Sequence, residues 1–235
     1  MTDMPDASPG SSPTLGEPSA PRDVHLALAG ALMAVLFAAT VLLVDHRWAS
    51  LLRADQSARD GLHYYGIKHP GFVHAMQVIS ASGSAVAWVV ILTPVVLCLL
   101  WRRLPRLALF VVVAALGSAL LNVVVKTVVH RPRPLLSDPV ARAHGLSFPS
   151  AHAQGAAVGY ALLLLVVLPL LSGGWRTGAV TFAVVAVLVI GFSRIALGVH
   201  YVSDVAGGYF LGAAWVAAMV IAFDVVAVNR TALQR

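Results

Sequence analysis

Residues 107–129 read LALFVVVAALGSALLNVVVKTVV, a run of 23 positions in which Lys126 is the only charge. About 20 apolar residues cross a bilayer once as a helix, which satisfies its own backbone hydrogen bonds where no water can. Comparable runs lie on either side, at 24–44, about 85–101, 149–171, 178–197 and 200–228. The chain of 235 residues is 59% hydrophobic and 11% charged, which suits one bundle better than two soluble domains. The expected fold is therefore all-α: a polytopic membrane protein of six transmembrane helices. Residues 1–23 are expected as a disordered tail because Pro, Ser and Gly dominate 1–21, and 24–228 form the bundle, with a short tail at 229–235. The first run is too long for a signal-peptide core and has no basic segment before it, so it is expected to stay as a span.

The connections carry the polar residues. Segment 45–70 holds Trp48, Tyr64 and Tyr65 among Arg47, Arg53, Arg59 and Lys68, which fits either an interfacial segment or a solvated loop. Apolar sequence resumes near Phe72, and Pro94 predicts a kink in the second span. The net charge of +6 is spread over short loops and helix ends, so it does not form the single basic face that nucleic acid requires. Cys98, the lone cysteine, excludes a disulfide framework and reads as a small buried apolar residue. Short turns with Arg102, Arg103, Arg106 and Arg176 mark one face as cytoplasmic, although the first loop also carries four basic residues. The expected location is the cell membrane, with the other face outside the cytoplasm.

On that other face the span order brings together the end of span three, the start of span four and the junction of spans five and six. Lys126, Arg133, His152, Arg194, His200 and Asp204 all fall there. Ionisable residues at the edge of an apolar bundle mark a functional site by default. In 193–204, SRIALGVHYVSD, His200 and Asp204 are four residues apart, so a helix from about Val199 stacks carboxylate on imidazole and frees the other ring nitrogen as nucleophile or base. Gly198 is the expected break that turns Arg194 toward the same place. Lys126, Arg133 and Arg194 can neutralise a phosphate. Ser150 is an expected N-cap whose helix offers free N–H groups to an anion.

Taken singly, these residues have plainer readings: a snorkelling Lys126, a structural Arg194–Asp204 pair, a satisfied interfacial His152. Asn122 either orients Lys126 or hydrogen-bonds between helices. His130, Arg131, Arg142 and His144 either touch a headgroup or belong to a solvated loop, the latter being the plainer reading. No histidine shows a metal-ligand pattern, and no carboxylate cluster to hold a divalent ion is seen.

Three segments together, Lys126-x6-Arg133-Pro134, Phe148-Pro149-Ser150-Ala151-His152 and Ser193-Arg194-x5-His200-x3-Asp204, resemble the signature motifs of the type 2 phosphatidic acid phosphatase family. The second departs at Ala151, where the family has glycine, and alanine resists a positive φ. The resemblance implies a lipid phosphatase without metal or cofactor. It implies that His200 attacks phosphorus to give a phosphohistidine, Asp204 orients it, and His152 protonates the leaving oxygen. Lys126, Arg133, Ser150, Ala151 and Arg194 would then hold the phosphate. The implied partners are the bilayer and a lipid phosphate monoester or diphosphate, namely phosphatidate, phosphatidylglycerol phosphate or a polyprenyl diphosphate. The last is preferred because a loop of about 18 residues between spans three and four leaves little room for a headgroup pocket. The alternatives are a phosphoryl-transferring or non-catalytic protein of the same fold, a vanadate-dependent haloperoxidase, and a transporter. A transporter would show broken helices near mid-membrane, whereas here the charges lie at helix ends.

Overall fold

The computed structural model describes residues 20–225. Residues 1–19 and 226–235, which include most of both expected tails and the end of the expected sixth span, lie outside the described residues. Eight α-helices follow in order: α1 (Ala20–Asp45), α2 (Ala49–Lys68), α3 (Pro70–Ser82), α4 (Ala85–Trp101), α5 (Pro105–Val129), α6 (Ala151–Val167), α7 (Gly174–Ala196) and α8 (Val202–Ala222). A short 3₁₀ turn, Leu168–Leu170, extends α6. There is no strand among the described residues.

Five helices are long and apolar enough to span a bilayer, and α3 with α4 passes the same test as a pair bent by 43°, which gives six spans if the pair crosses as one. The bend falls at Gly83 and Ser84, and the Ser84 hydroxyl caps α4 by accepting from the Ala87 N–H at 3.2 Å. The bend at the α3–α4 junction thus lies well before Pro94, the expected kink, which sits inside α4. The second span also begins earlier than the apolar count predicts, because Pro70 opens α3 at a position where its missing N–H costs nothing. At the N-terminus, α1 begins within the expected tail, at Ala20, since Pro21 is tolerated in a first turn.

Segment 45–70 is not a loop. It is mostly α2, which packs on α7 and α8 and buries Asp55. Cys98 is exposed rather than buried, on the outside of α4 with Leu97 and Trp101, where the surrounding apolar surface faces lipid. Inside the bundle α8 lies against α1 and α6, and the core is built on Trp88, Phe110, Leu162 and Ile190. A buried polar ladder joins α5 to α6: Asn122 donates to Gln154 Oε1 at 2.7 Å, and Gln154 Nε2 donates to Ser118 at 2.9 Å. Asn122 therefore links helices and does not orient Lys126.

Candidate active site

The expected convergence is present, and its geometry begins with two places where the backbone turns. At the end of α5, His130 takes a left-handed conformation with φ of 48° and closes the helix through its N–H on Lys126 O. After α7, Gly198 has φ of 68°, a conformation that favours glycine, and a Cβ there would also press on the Leu136 side chain, 2.5 Å from its Cδ1. The α7–α8 break is longer than expected: α8 starts at Val202, and His200 precedes it. The pair still forms because Asp204 sits at the third helical position and folds back, accepting from Tyr201 N–H at 2.9 Å and meeting His200 Nδ1 at 3.3 Å.

His200 is 1% exposed. Arg133 reaches across from the 130–148 loop and places Nη1 at 3.1 Å from His200 Nε2 and 2.8 Å from Val199 O. A guanidinium can only donate, so Nε2 accepts and the ring proton sits on Nδ1, facing Asp204. Burial pushes the His200 imidazole down to about 4, against the opposing pull of Asp204. The ring is neutral at pH 7, with an unprotonated nitrogen facing the cations. The Arg133 guanidinium is likewise held below its ordinary value by burial. Its Nε donates to His144 O and Gly145 O, at 3.2 and 3.1 Å, which braces the loop.

Lys126 donates to Leu146 O at 2.7 Å and Ser147 O at 3.2 Å. Arg194 donates to Ser80 Oγ on α3, while its buried Nε has no partner. The expected alternative of an Arg194–Asp204 pair is thus not formed. Among the described residues none of Lys126, Arg133 and Arg194 has a carboxylate partner, because Asp204 is occupied by Arg131. Three positive groups around a neutral histidine leave the cleft short of negative charge.

Ser150 precedes α6 in extended backbone, as an N-cap does, but its hydroxyl makes no cap bond and is buried without a partner. The reason is packing: its N–H is already bonded to Asp204 O at 3.0 Å, tying the second motif to the third. Gly208 permits this approach, since a Cβ there would stand 2.8 Å from Ser150 O. Ala151 opens α6 and is not among the positive-φ residues, so the replacement of glycine brings no backbone strain. His152, in the first turn, is half-buried and within electrostatic reach of Arg194, His200 and Arg133.

Four residues were not legible as parts of this site: Asp55, Arg131, Ser147 and Ser203. Arg131 is buried, not solvated, and its Nη1 donates to Asp204 Oδ1 at 2.6 Å. The Ser147 hydroxyl donates to Asp204 Oδ2. The pattern of charges does not tell Arg131 from Arg133, two residues away, and Asp55 stands 148 positions before its partner Ser203.

A family model described as the PAP2 superfamily matches residues 106–226, just over half of the chain and all three motif segments. The chain belongs to the PAP2 superfamily. Within it, a 96-residue stretch is 44% identical to phosphatidylglycerophosphatase B of Bacillus subtilis (strain 168), covering 40% of this chain and 46% of that protein. The match therefore spans about half the length of that relative. The crystal structure of a transmembrane PAP2-type phosphatidylglycerolphosphate phosphatase from Bacillus subtilis superposes with a TM-score of 0.67 at 27% identity, covering 86% of this chain and 95% of that one. This PAP2 protein is thus a multi-pass membrane protein with a fold shared almost throughout.

Proposed function

We propose that this PAP2 protein is a membrane lipid phosphatase, and that the bundle 24–228 is one phosphatase domain with its site outside the cytoplasm. The observation that carries the reading is the unprotonated His200 Nε2 set among cations that have no carboxylate partner. A phosphate monoester brings the missing negative charge, and Lys126, Arg133 and Arg194 are placed to bind its equatorial oxygens as charge builds on them. The buried Ser150 hydroxyl and the α6 N-terminus at Ala151 add donors. His200 Nε2 forms a bond to phosphorus while the ester P–O bond breaks, and His152 gives its proton to the departing oxygen. Water then attacks the phosphohistidine with His152 as base, releasing phosphate and restoring His200. The side chains supply the charge that a metal ion would otherwise bring.

A cavity of about 570 Å³ between α4, α5 and α6 runs from Leu92 and Val111 to His152. Its apolar walls suit a lipid chain, and its size falls in the range of small-ligand sites, roughly 300–1,000 Å³. The names of the two similar proteins move the preferred substrate from polyprenyl diphosphate to phosphatidylglycerol phosphate. In detergent with EDTA, the protein is expected to release phosphate faster from phosphatidylglycerol phosphate than from phosphatidate or a polyprenyl diphosphate, with His200→Ala as blank. If folded protein gives no release above the blank from any of the three, the hydrolase reading falls.

The pH profile follows from His200. Its folded value, about 4, lies below the ordinary 6.5, so the reactive neutral ring persists in acid and is lost only as pH falls through 4. After correction for the substrate's own ionisation, the acid limb of kcat/KM is expected near 4, and a limb at 6.5 would contradict the buried geometry. Stability follows the same sign: the unfolded chain binds the extra proton first, so resistance to denaturation declines as pH drops from 6.5 toward 4.

A further inference from the structure

Behind Asp204, on the side away from His200, lies a buried charge cluster that the proposed reaction does not use. Asp55 of α2, 1% exposed, accepts from Arg131 Nη2 at 2.8 Å, from the Ser203 N–H at 3.0 Å and from the Ser203 hydroxyl. Arg131, 7% exposed, uses its other arm on Asp204 Oδ1 and also donates to Ser203 Oγ at 2.7 Å. Its guanidinium lies over the Tyr201 ring at 4.2 Å. One arginine thus joins two carboxylates from helices far apart in sequence, and Asp55 stands outside the region matched by the family model.

Stability alone is a poor account of such a triad, because burying three charges costs about as much as their attraction returns, and apolar residues of the same volume often serve better. What the triad does fix is Asp204. With Oδ1 held by Arg131, Oδ2 is left to the Tyr201 N–H, Ser147 and His200 Nδ1. The charge is fixed too. Asp55 takes up part of the positive field of Arg131, so Asp204 keeps enough negative character to hold the His200 proton on Nδ1.

We infer that Asp55 and Arg131 are positioning residues for the phosphatase reaction, acting through the orientation and effective charge of Asp204. The inference rests on the phosphatase reading and assigns α2 a part in the chemistry. The other groups facing His200 stay unchanged in the variants below: Arg133 and Ser147 from the loop, His152 of α6 and Arg194 of α7. Lys126 of α5 bears on Asp204 and is also unchanged.

The two residues carry opposite charge, so their removal has opposite signs. In Asp55→Asn, Arg131 bears wholly on Asp204, the carboxylate holds a protonated His200 less well, and the acid limb of kcat/KM moves to lower pH. In Arg131→Met the limb moves to higher pH. Each shift should be about one pH unit, with kcat reduced about 10- to 100-fold and KM within about twofold. The double variant, neutral in net change, should return the limb close to the parent position, and Arg131→Lys should recover part of kcat. The test uses the full-length protein in detergent, checked by size-exclusion and thermal melting, with phosphate release from phosphatidylglycerol phosphate followed across pH. The substrate's second ionisation, near pH 6, is common to every variant and drops out of the comparison. Limbs that stay in place or move the same way in both single variants overturn the inference, as does an Asp55→Asn protein that does not fold. Should Arg131→Met fail to fold, the Asp55→Asn profile decides alone: a downward shift with KM kept supports the positioning role, and its absence overturns it. An inactive parent would instead sink the phosphatase reading itself.

Discussion

His200→Asn is expected to abolish turnover, lowering kcat by at least ~10⁴-fold while leaving lipid binding within a few-fold of the parent. Asparagine is the informative replacement because its side-chain amide can stand where Nδ1 stands and keep a hydrogen bond to Asp204. Only the Nε2 end of the ring is lost. The three cations remain, and none of them depends on His200 for its place: Lys126 rests on Leu146 O and Ser147 O, Arg133 on His144 O, Gly145 O and Val199 O, and Arg194 on Ser80. Binding and chemistry should therefore separate. Titration with a fluorescent lipid phosphate gives the first, and steady-state phosphate release gives the second. Quenching the parent with alkali, which spares a phosphoramidate, should trap labelled phosphate on the protein, and the variant should carry none. Residual turnover above about one part in a hundred would remove Nε2 from the bond-forming step.

How much of this was legible in the sequence differs between the fold and the site. Spans show in sequence because lipid imposes a local rule, an apolar run of fixed length, and α1, α5, α6, α7 and α8 obey it. The α3–α4 pair obeys it only in sum, so its polar, Gly83-containing bend blurs the start of the second span. Helix α2 fails the rule altogether. Its exposed side mixes polar residues with Tyr64, Tyr65 and Ile67, and its buried Asp55 is held by Arg131 and Ser203, a pattern that a hydropathy count cannot separate from a loop. At the candidate site, the convergence of the three motifs could be read from the sequence because spacing and face agreed. The groups behind them were not, since a buried charge is defined by its partner. Arg131 meets Asp55 across 76 positions and Asp204 across 73, and nothing local announces either contact. Ser150 shows the reverse case: a good capping residue by type, its hydroxyl left free because the backbone bond to Asp204 O sets its position.

Asp204→Asn should lower kcat by roughly 10²- to 10⁴-fold, the range being set by which way the amide turns. With its NH₂ group in the Oδ2 position, three donors, Tyr201 N–H, Ser147 Oγ–H and His200 Nδ1–H, meet another donor. His200 then resolves the conflict by moving its proton to Nε2, which removes the nucleophile. With the NH₂ group turned to Arg131, the tautomer survives, but the amide opposes the guanidinium at what was a 2.6 Å contact, and the charge that steadies the ring during attack is gone. Either way the loss falls on kcat, because in the proposed reaction Lys126, Arg133 and Arg194, not Asp204, hold the substrate. A large rise in KM would show that Asp204 shapes the phosphate site instead. The fold should survive, as Arg131 keeps its second carboxylate at 2.8 Å. The same variant also isolates the role of the cluster behind it. If Asp55 acts only by tuning Asp204, adding Asp55→Asn to Asp204→Asn should cost almost nothing further in kcat, whereas two independent contributions would multiply. A double variant slower than Asp204→Asn by the full factor seen for Asp55→Asn alone would place Asp55 on a separate route to the reaction.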